Sequence, residues 1–244
     1  MWGEGRIVFA ITMAVAVFVS HSSISARATE VDLLLALAAD VSGSMNDEKF
    51  ALQREGYSAA ITSPRVIEAI QSGQFGRIAI CYIEWSGAGN QRVLIDWTVI
   101  QDVTSAQRFA VRLAEAPRPF FGHTSIAGGI EFAVSQIKGA PFRAKRQIVD
   151  VSGDGDDDNF ADDVVLVRER ALAAGITINA LVVSQDQASG NDFEGYYREK
   201  VIGGPGSFIM AAKDYSSFGE AMIKKLVAEI AGLPFTHAAA RRRQ

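Results

Sequence analysis

The chain has 244 residues, 48% of them hydrophobic, with a formal net charge of −4 and a single cysteine. That is enough apolar chain to close a full core, and the acidic balance argues against nucleic acid or an anionic membrane surface as the main partner. A lone Cys81 excludes an intrachain disulfide, and its place inside an apolar run marks it as a small core residue rather than a nucleophile.

Residues 1–28 read as a signal peptide. Arg6 supplies the positive charge, residues 7–19 form the apolar core, and Ala26-Arg27-Ala28 is a small-residue cleavage pattern. An apolar core of 13 residues is short beside the roughly 20 that a helix needs to span a bilayer. We therefore expect cleavage, no stable membrane span afterwards, and a periplasmic or secreted protein. Residues 29–232 read as one domain. Residues 233–244, which end in Arg241-Arg242-Arg243, read as a flexible basic tail.

From residue 31 onward, strand-like runs alternate with helical periodicity. Residues 31–39 are an apolar run, interrupted only by Asp32, with the length of a buried strand. Residues 47–70 follow as a long amphipathic helix, broken near Ser63-Pro64. Residues 77–85 and 92–97 are two strands joined by Ser86-Gly87-Ala88-Gly89-Asn90, a link short enough only for a hairpin, so one of them runs antiparallel. Helices are expected over 105–116 and 125–137, a strand over 146–151, a helix over 162–174 and a strand over 177–183. A short strand over 207–211 and a helix over 215–231 close the chain. This rhythm predicts an α/β fold: a doubly wound, Rossmann-like, mostly parallel sheet with one antiparallel edge strand and helices on both faces.

Three segments at strand ends carry oxygen side chains. Asp40-Val41-Ser42-Gly43-Ser44 follows the first strand, Gly122-His123-Thr124-Ser125 opens a helix, and Ser152-Gly153-Asp154-Gly155 follows the strand at 146–151. Ser and Asp are also favoured helix N-caps, so the first segment alone reads equally well as a cap. In a doubly wound sheet, however, the first and third segments follow strands that meet at the topological switch point. Their pooled donors are Asp40, Ser42, Ser44, Thr124 and Asp154: two carboxylates and three hydroxyls, without thiolate or imidazole. That inventory suits Mg²⁺, Ca²⁺ or Mn²⁺ and disfavours Zn²⁺ or Cu²⁺.

These five positions, in this order, resemble the metal-ion-dependent adhesion site (MIDAS) of von Willebrand factor type A (VWA) domains. The order of elements, including the hairpin, is similar to that family over nearly the whole of residues 31–231. The segments around Glu84-Trp85, residues 150–155 and residues 202–206 further resemble an uncharacterised bacterial family of exported VWA proteins. The resemblance implies a binding module rather than an enzyme. The two Ser would hold Mg²⁺ directly, Thr124 directly or through water, and Asp40 and Asp154 through water. A Glu or Asp of a protein or surface-polymer partner would complete the shell. Movement of the last helix would be coupled to that ligation.

Near the site, His123, Phe120, Phe121 and Asp156 are candidates for contacting the partner. Asp156, Asp157 and Asp158 otherwise read as a solvated loop capping the helix near Asp162. An EF-hand starting at Asp154 is excluded, since Asn159 and Val165 stand where Gly and Glu are required. Two other functions remain open at this stage. A haloacid-dehalogenase-like phosphatase would use Asp40 as nucleophile, although Ser42 stands where its second Asp is needed. A structural envelope domain would use a cation only for stability. No G-x-S-x-G elbow or phosphate-binding loop is present.

Overall fold

A computed structural model of the protein describes residues 28–157, 161–184 and 192–232. The expected leader, the basic tail and Asp158 lie outside those residues, apart from Ala28 at the leader's end. Six strands form the main sheet, in the order β4-β3-β2-β6-β7-β8: β2 (Leu33–Asp40), β3 (Ile78–Trp85), β4 (Gln91–Ile100), β6 (Arg146–Gly153), β7 (Thr177–Val183) and β8 (Ile209–Ala212). Only β3 and β4 pair antiparallel, so β4 is the antiparallel edge that the short link demanded. A second, two-stranded sheet pairs β1 (Thr29–Glu30) with β5 (Phe142–Arg143) and was not legible from the sequence.

The unbroken apolar run of β2 is explained by burial on both faces. Leu33, Leu35 and Leu37 point into one core cluster, and Leu34, Ala36 and Ala38 into the other, as the two-residue period of a strand requires. The first cluster is closed by α1 (Asp47–Thr62), α2 (Pro64–Gln71), α3 (Val103–Glu115) and α7 (Phe218–Ala231). The second is closed by α4 (Ile126–Lys138), α5 (Ala161–Ala173) and a short α6 (Phe193–Tyr196) that continues into a π-turn over Tyr197–Val201. Pro64 at the first position of α2 enforces the predicted break after α1. Cys81 is fully buried, as expected of a small core residue, and so is Trp85.

Several boundaries differ from the sequence reading for physical reasons. β6 runs two residues beyond 151, because Ser152 and Gly153 continue to pair with Leu181 and Val182 of β7. β4 extends to Ile100, where it still pairs with Ile78. The last helix is preceded by a 3-10 turn, Tyr215–Ser217, capped by Asp214. Among the described residues no helix is long and apolar enough to cross a membrane.

Two buried ion networks tie helices to the sheet. Arg54 of α1 makes a two-pronged pair with Glu84 of β3, at 2.8 and 2.9 Å. Lys225 of α7 lies 2.6 Å from Asp150 of β6 and 2.5 Å from Glu229, all three fully or almost fully buried. Asn179 of β7 donates to Glu229 at 2.8 Å. Neither network was anticipated from sequence.

Candidate metal centre

β2 and β6 are direct neighbours, while β3, the next strand in the chain after β2, lies on the opposite side of it. The carboxyl ends of β2 and β6 therefore define the switch point where open α/β sheets build sites. Asp40 is the last residue of β2, and its Oδ1 accepts the Ser42 N–H at 2.7 Å. Gln53 of α1 donates to the Asp40 carbonyl at 2.9 Å and fixes the strand end. The Ser42 and Ser44 hydroxyls lie 3.3 Å apart, and Ser44 Oγ donates to Asp154 Oδ1 at 2.6 Å. Four of the five predicted oxygen residues thus form one hydrogen-bonded chain.

Thr124 is half-buried in the connection before α4, whose N-cap is Ser125 rather than Thr124 itself. Two backbone bonds hold that connection in place. Gly43 N–H donates to Gly122 O at 2.6 Å, tying it to the first loop, and Ser125 N–H donates to Ser86 O at 3.0 Å.

The electrostatics are those of a site with too much negative charge. Burial, and then the Asp154 carboxylate, push the Asp40 carboxyl up to about 7. Asp40 Oδ2 is buried and accepts no hydrogen bond. Lys49 of α1 partly offsets the charge, with its ammonium 3.4 Å from Asp154 Oδ2 and 3.2 Å from Ser44 O. The donors are all hard oxygens, and one buried carboxylate oxygen of the set lacks a partner, so the residues present fit a small divalent cation. Among the described residues no cluster of three or more His, Cys, Asp or Glu side chains is placed to hold a metal, and the candidate centre relies on hydroxyls accordingly.

Arg118 is the feature of the site that the sequence concealed. Its Nη2 donates to the carbonyls of Val41 (3.2 Å), Ser42 (3.4 Å) and Met45 (2.8 Å), so one guanidinium braces the whole first loop. It is sandwiched by the Phe50 ring at 4.8 Å and the Phe121 ring at 4.0 Å. An arginine working through carbonyls leaves no spacing signature, so motif reading passes over it.

The candidate rim residues have different fates. Phe121 is 70% exposed, His123 is exposed, and Phe120 is half-buried beneath Arg92 at 5.4 Å. Asp156 is half-buried on the same connection as Asp154. The reading of Asp157 as a solvated cap of its own helix is corrected. Asp157 is buried, and its Oδ2 accepts the Ala127 N–H at 3.1 Å, in the first turn of α4. That helix start is distant in sequence but adjacent in space. Tyr197, which lies outside the five-residue pattern, is fully buried beside the site.

Solved structures share this architecture. They include a von Willebrand factor type A protein from Catenulispora acidiphila (12% identity, TM-score 0.59, covering 82% of this chain and 43% of that one). Proximal thread matrix protein 1 from the mussel byssus, with a zinc-occupied MIDAS motif, is similar (14% identity, TM-score 0.58, 83% and 49%). So is the pilus adhesin SpaC from Lactobacillus rhamnosus GG (12% identity, TM-score 0.59, 82% and 30%). The chain spans about half or less of the length of these proteins, and at such identities the likeness establishes the VWA fold alone. No curated protein matches the chain. The family model described as a protein of unknown function, DUF1194, matches residues 30–234, and the chain belongs to that family.

Proposed function

We propose that this protein is an exported VWA recognition module. It holds one divalent cation through Ser42, Ser44 and Thr124, with Asp40 and Asp154 acting behind them. One observation carries the reading: Asp40 Oδ2 is buried without a partner, next to a hydroxyl–carboxylate chain that already assembles Ser42, Ser44 and Asp154. Mg²⁺ is the first choice for an all-oxygen site with few carboxylates, with Mn²⁺ and Ca²⁺ as alternatives. Zinc in the MIDAS motif of the byssus protein supports a divalent ion at this place in the fold. When bound, the ion would supply positive charge to accept a carboxylate of a protein or surface polymer. Phe121 and His123, both exposed beside it, would contact the same partner, with Phe120 and Asp156 at the edge.

Residues 1–28 are proposed as the export signal, residues 29–232 as the VWA unit and residues 233–244 as its tail. Turnover is not part of the proposal. Ser42 occupies the place where a phosphatase of the rival class needs a carboxyl, and its hydroxyl is engaged with Ser44. A metal-dependent pull-down from envelope extract tests the reading. Wild type with Mg²⁺ is expected to capture a partner that is lost with chelator and with Ser42→Ala. Equal capture by wild type in chelator and by Ser42→Ala would remove the cation from recognition.

A further inference from the structure

Among the buried oxygens beside the candidate metal centre that lack a hydrogen-bonding partner are Asp40 Oδ2 and the hydroxyl of Tyr197. They come from opposite ends of the chain and flank the same glycine. A β-carbon on Gly153 would stand 2.5 Å from the Tyr197 hydroxyl and 3.4 Å from Asp40 Oδ2. The first distance is closer than side chains tolerate, so glycine at the end of β6 is what leaves room for the phenol on the side of the Asp40 carboxylate. A second feature delivers it there. Tyr197 opens the π-turn that continues α6, in which Ile202 N–H donates to Tyr197 O at 2.9 Å. Single π-turns within helices concentrate at functional sites, because they re-aim one side chain at the expense of regular hydrogen bonding.

Burying a phenol without a partner lowers stability, and so does burying an unpaired carboxylate oxygen. Tyr57, by contrast, pairs its hydroxyl in this same core, with Ser152 Oγ at 2.9 Å. Tyr197 has the same degree of burial and no such pairing, and its ring alone would fill the core equally well as phenylalanine.

We infer that Tyr197 is a positioning residue of the cation site, whose hydroxyl serves as the hydrogen-bond donor to the inner oxygen of Asp40 when a divalent cation is bound. The inference rests on the metal-site reading above and extends it to a residue outside the MIDAS pattern. The O–H orients Asp40 and stabilises its charge in the loaded site, where the hydrogen bonds of Arg118 and Gln53 to the first loop go to backbone carbonyls.

Tyr197→Phe on the full chain tests it, with Mn²⁺ as the probe, titrated calorimetrically, and thermal unfolding in EDTA alongside. One hydrogen bond to a charged group lost from the loaded state is expected to weaken Mn²⁺ binding about tenfold. With chelator, removal of an unpartnered buried hydroxyl is expected to raise the unfolding midpoint by about 2–4 °C. A purely structural tyrosine gives the opposite pattern, and Tyr57→Phe serves as that control: lower stability in EDTA and Mn²⁺ affinity near wild type. Gly153→Ala, which would displace the phenol while meeting Asp40 Oδ2 only at ordinary contact distance, is expected to weaken Mn²⁺ binding as well.

Mn²⁺ affinity of Tyr197→Phe within twofold of wild type, or a fall in its midpoint in EDTA, overturns the inference. If wild type binds Mn²⁺ in a Ser42-dependent manner while Tyr197→Phe binds equally, only this inference fails. If wild type binds no Mn²⁺, the metal-site reading fails and this inference with it.

Discussion

Lys225→Ala is expected to cost about 3–5 kcal/mol of stability, because it leaves two carboxylates buried without a cation. The ammonium lies 2.6 Å from Asp150 and 2.5 Å from Glu229, and the three residues are at most 1% exposed. Asn179 continues to donate to Glu229, which is not enough to replace a full charge. In a chain of this size the loss reads as a fall of roughly 10 °C in Tm. Combining Lys225→Met with Asp150→Asn and Glu229→Gln should recover most of it, since replacing a buried ion network as a unit is often close to neutral. A loss below about 1 kcal/mol for Lys225→Ala would show that water reaches the network.

The same network gives a pH dependence whose sign is fixed. Burial, and then Glu229, push the Asp150 carboxyl up to about 7 from an ordinary 3.8, and burial with Asp154 pushes Asp40 in the same direction. Glu84 is also raised, chiefly by burial. Between the unfolded and folded values the native state holds protons that the unfolded chain has released, so stability falls as pH rises through that window. In EDTA the protein should therefore have a higher Tm at pH 5.5 than at pH 8. A higher Tm at pH 8 would contradict this account of the buried acids.

Asp154→Ala is expected to weaken Mg²⁺ or Mn²⁺ binding about 100-fold, the upper range for loss of a group that orients metal ligands. Three effects act together. Ser44 loses the carboxylate that its hydroxyl points to at 2.6 Å. The site keeps Asp40 as its only carboxylate. Lys49, without its carboxylate partner, leaves an uncompensated positive charge next to the incoming cation. Stability in EDTA should remain near wild type, since removal of Asp154 also relieves its repulsion of Asp40. Calorimetric titration decides the matter. An affinity within threefold of wild type would take Asp154 out of the site.

The parts of this arrangement that depend on neighbouring residues in the chain were legible in the sequence. The run of β2 predicts its burial on both faces, the short link predicts the antiparallel edge, and Asp40, Ser42, Ser44 and Asp154 stand at strand ends where a switch point gathers them. What failed to show depends on contacts between distant segments. Asp157 sits beside α5 in sequence, and its nearest helix seemed the one to cap; the fold instead brings the start of α4 to it. Arg118 acts through backbone carbonyls, which any residue type supplies, so no partner pattern betrays it. Tyr197 takes its place beside the site through a π-turn and a glycine 44 positions earlier, neither of which has a motif. Ser152-Gly153 looked like loop because of its composition, yet its pairing to β7 holds it in the sheet and fixes the place of Asp154.

The central claim is that the loops after β2 and β6 and the connection between α3 and α4 close around one cation. Crystals of the full chain grown with Mn²⁺ and measured for anomalous scattering test it most directly. A single strong peak is expected at coordination distance from Ser42 Oγ and Ser44 Oγ, about 2.0–2.6 Å for hard cations on oxygen, on the side facing Thr124. An Mn²⁺-saturated crystal with no peak between those hydroxyls, or with its ordered ion elsewhere on the molecule, would contradict the account.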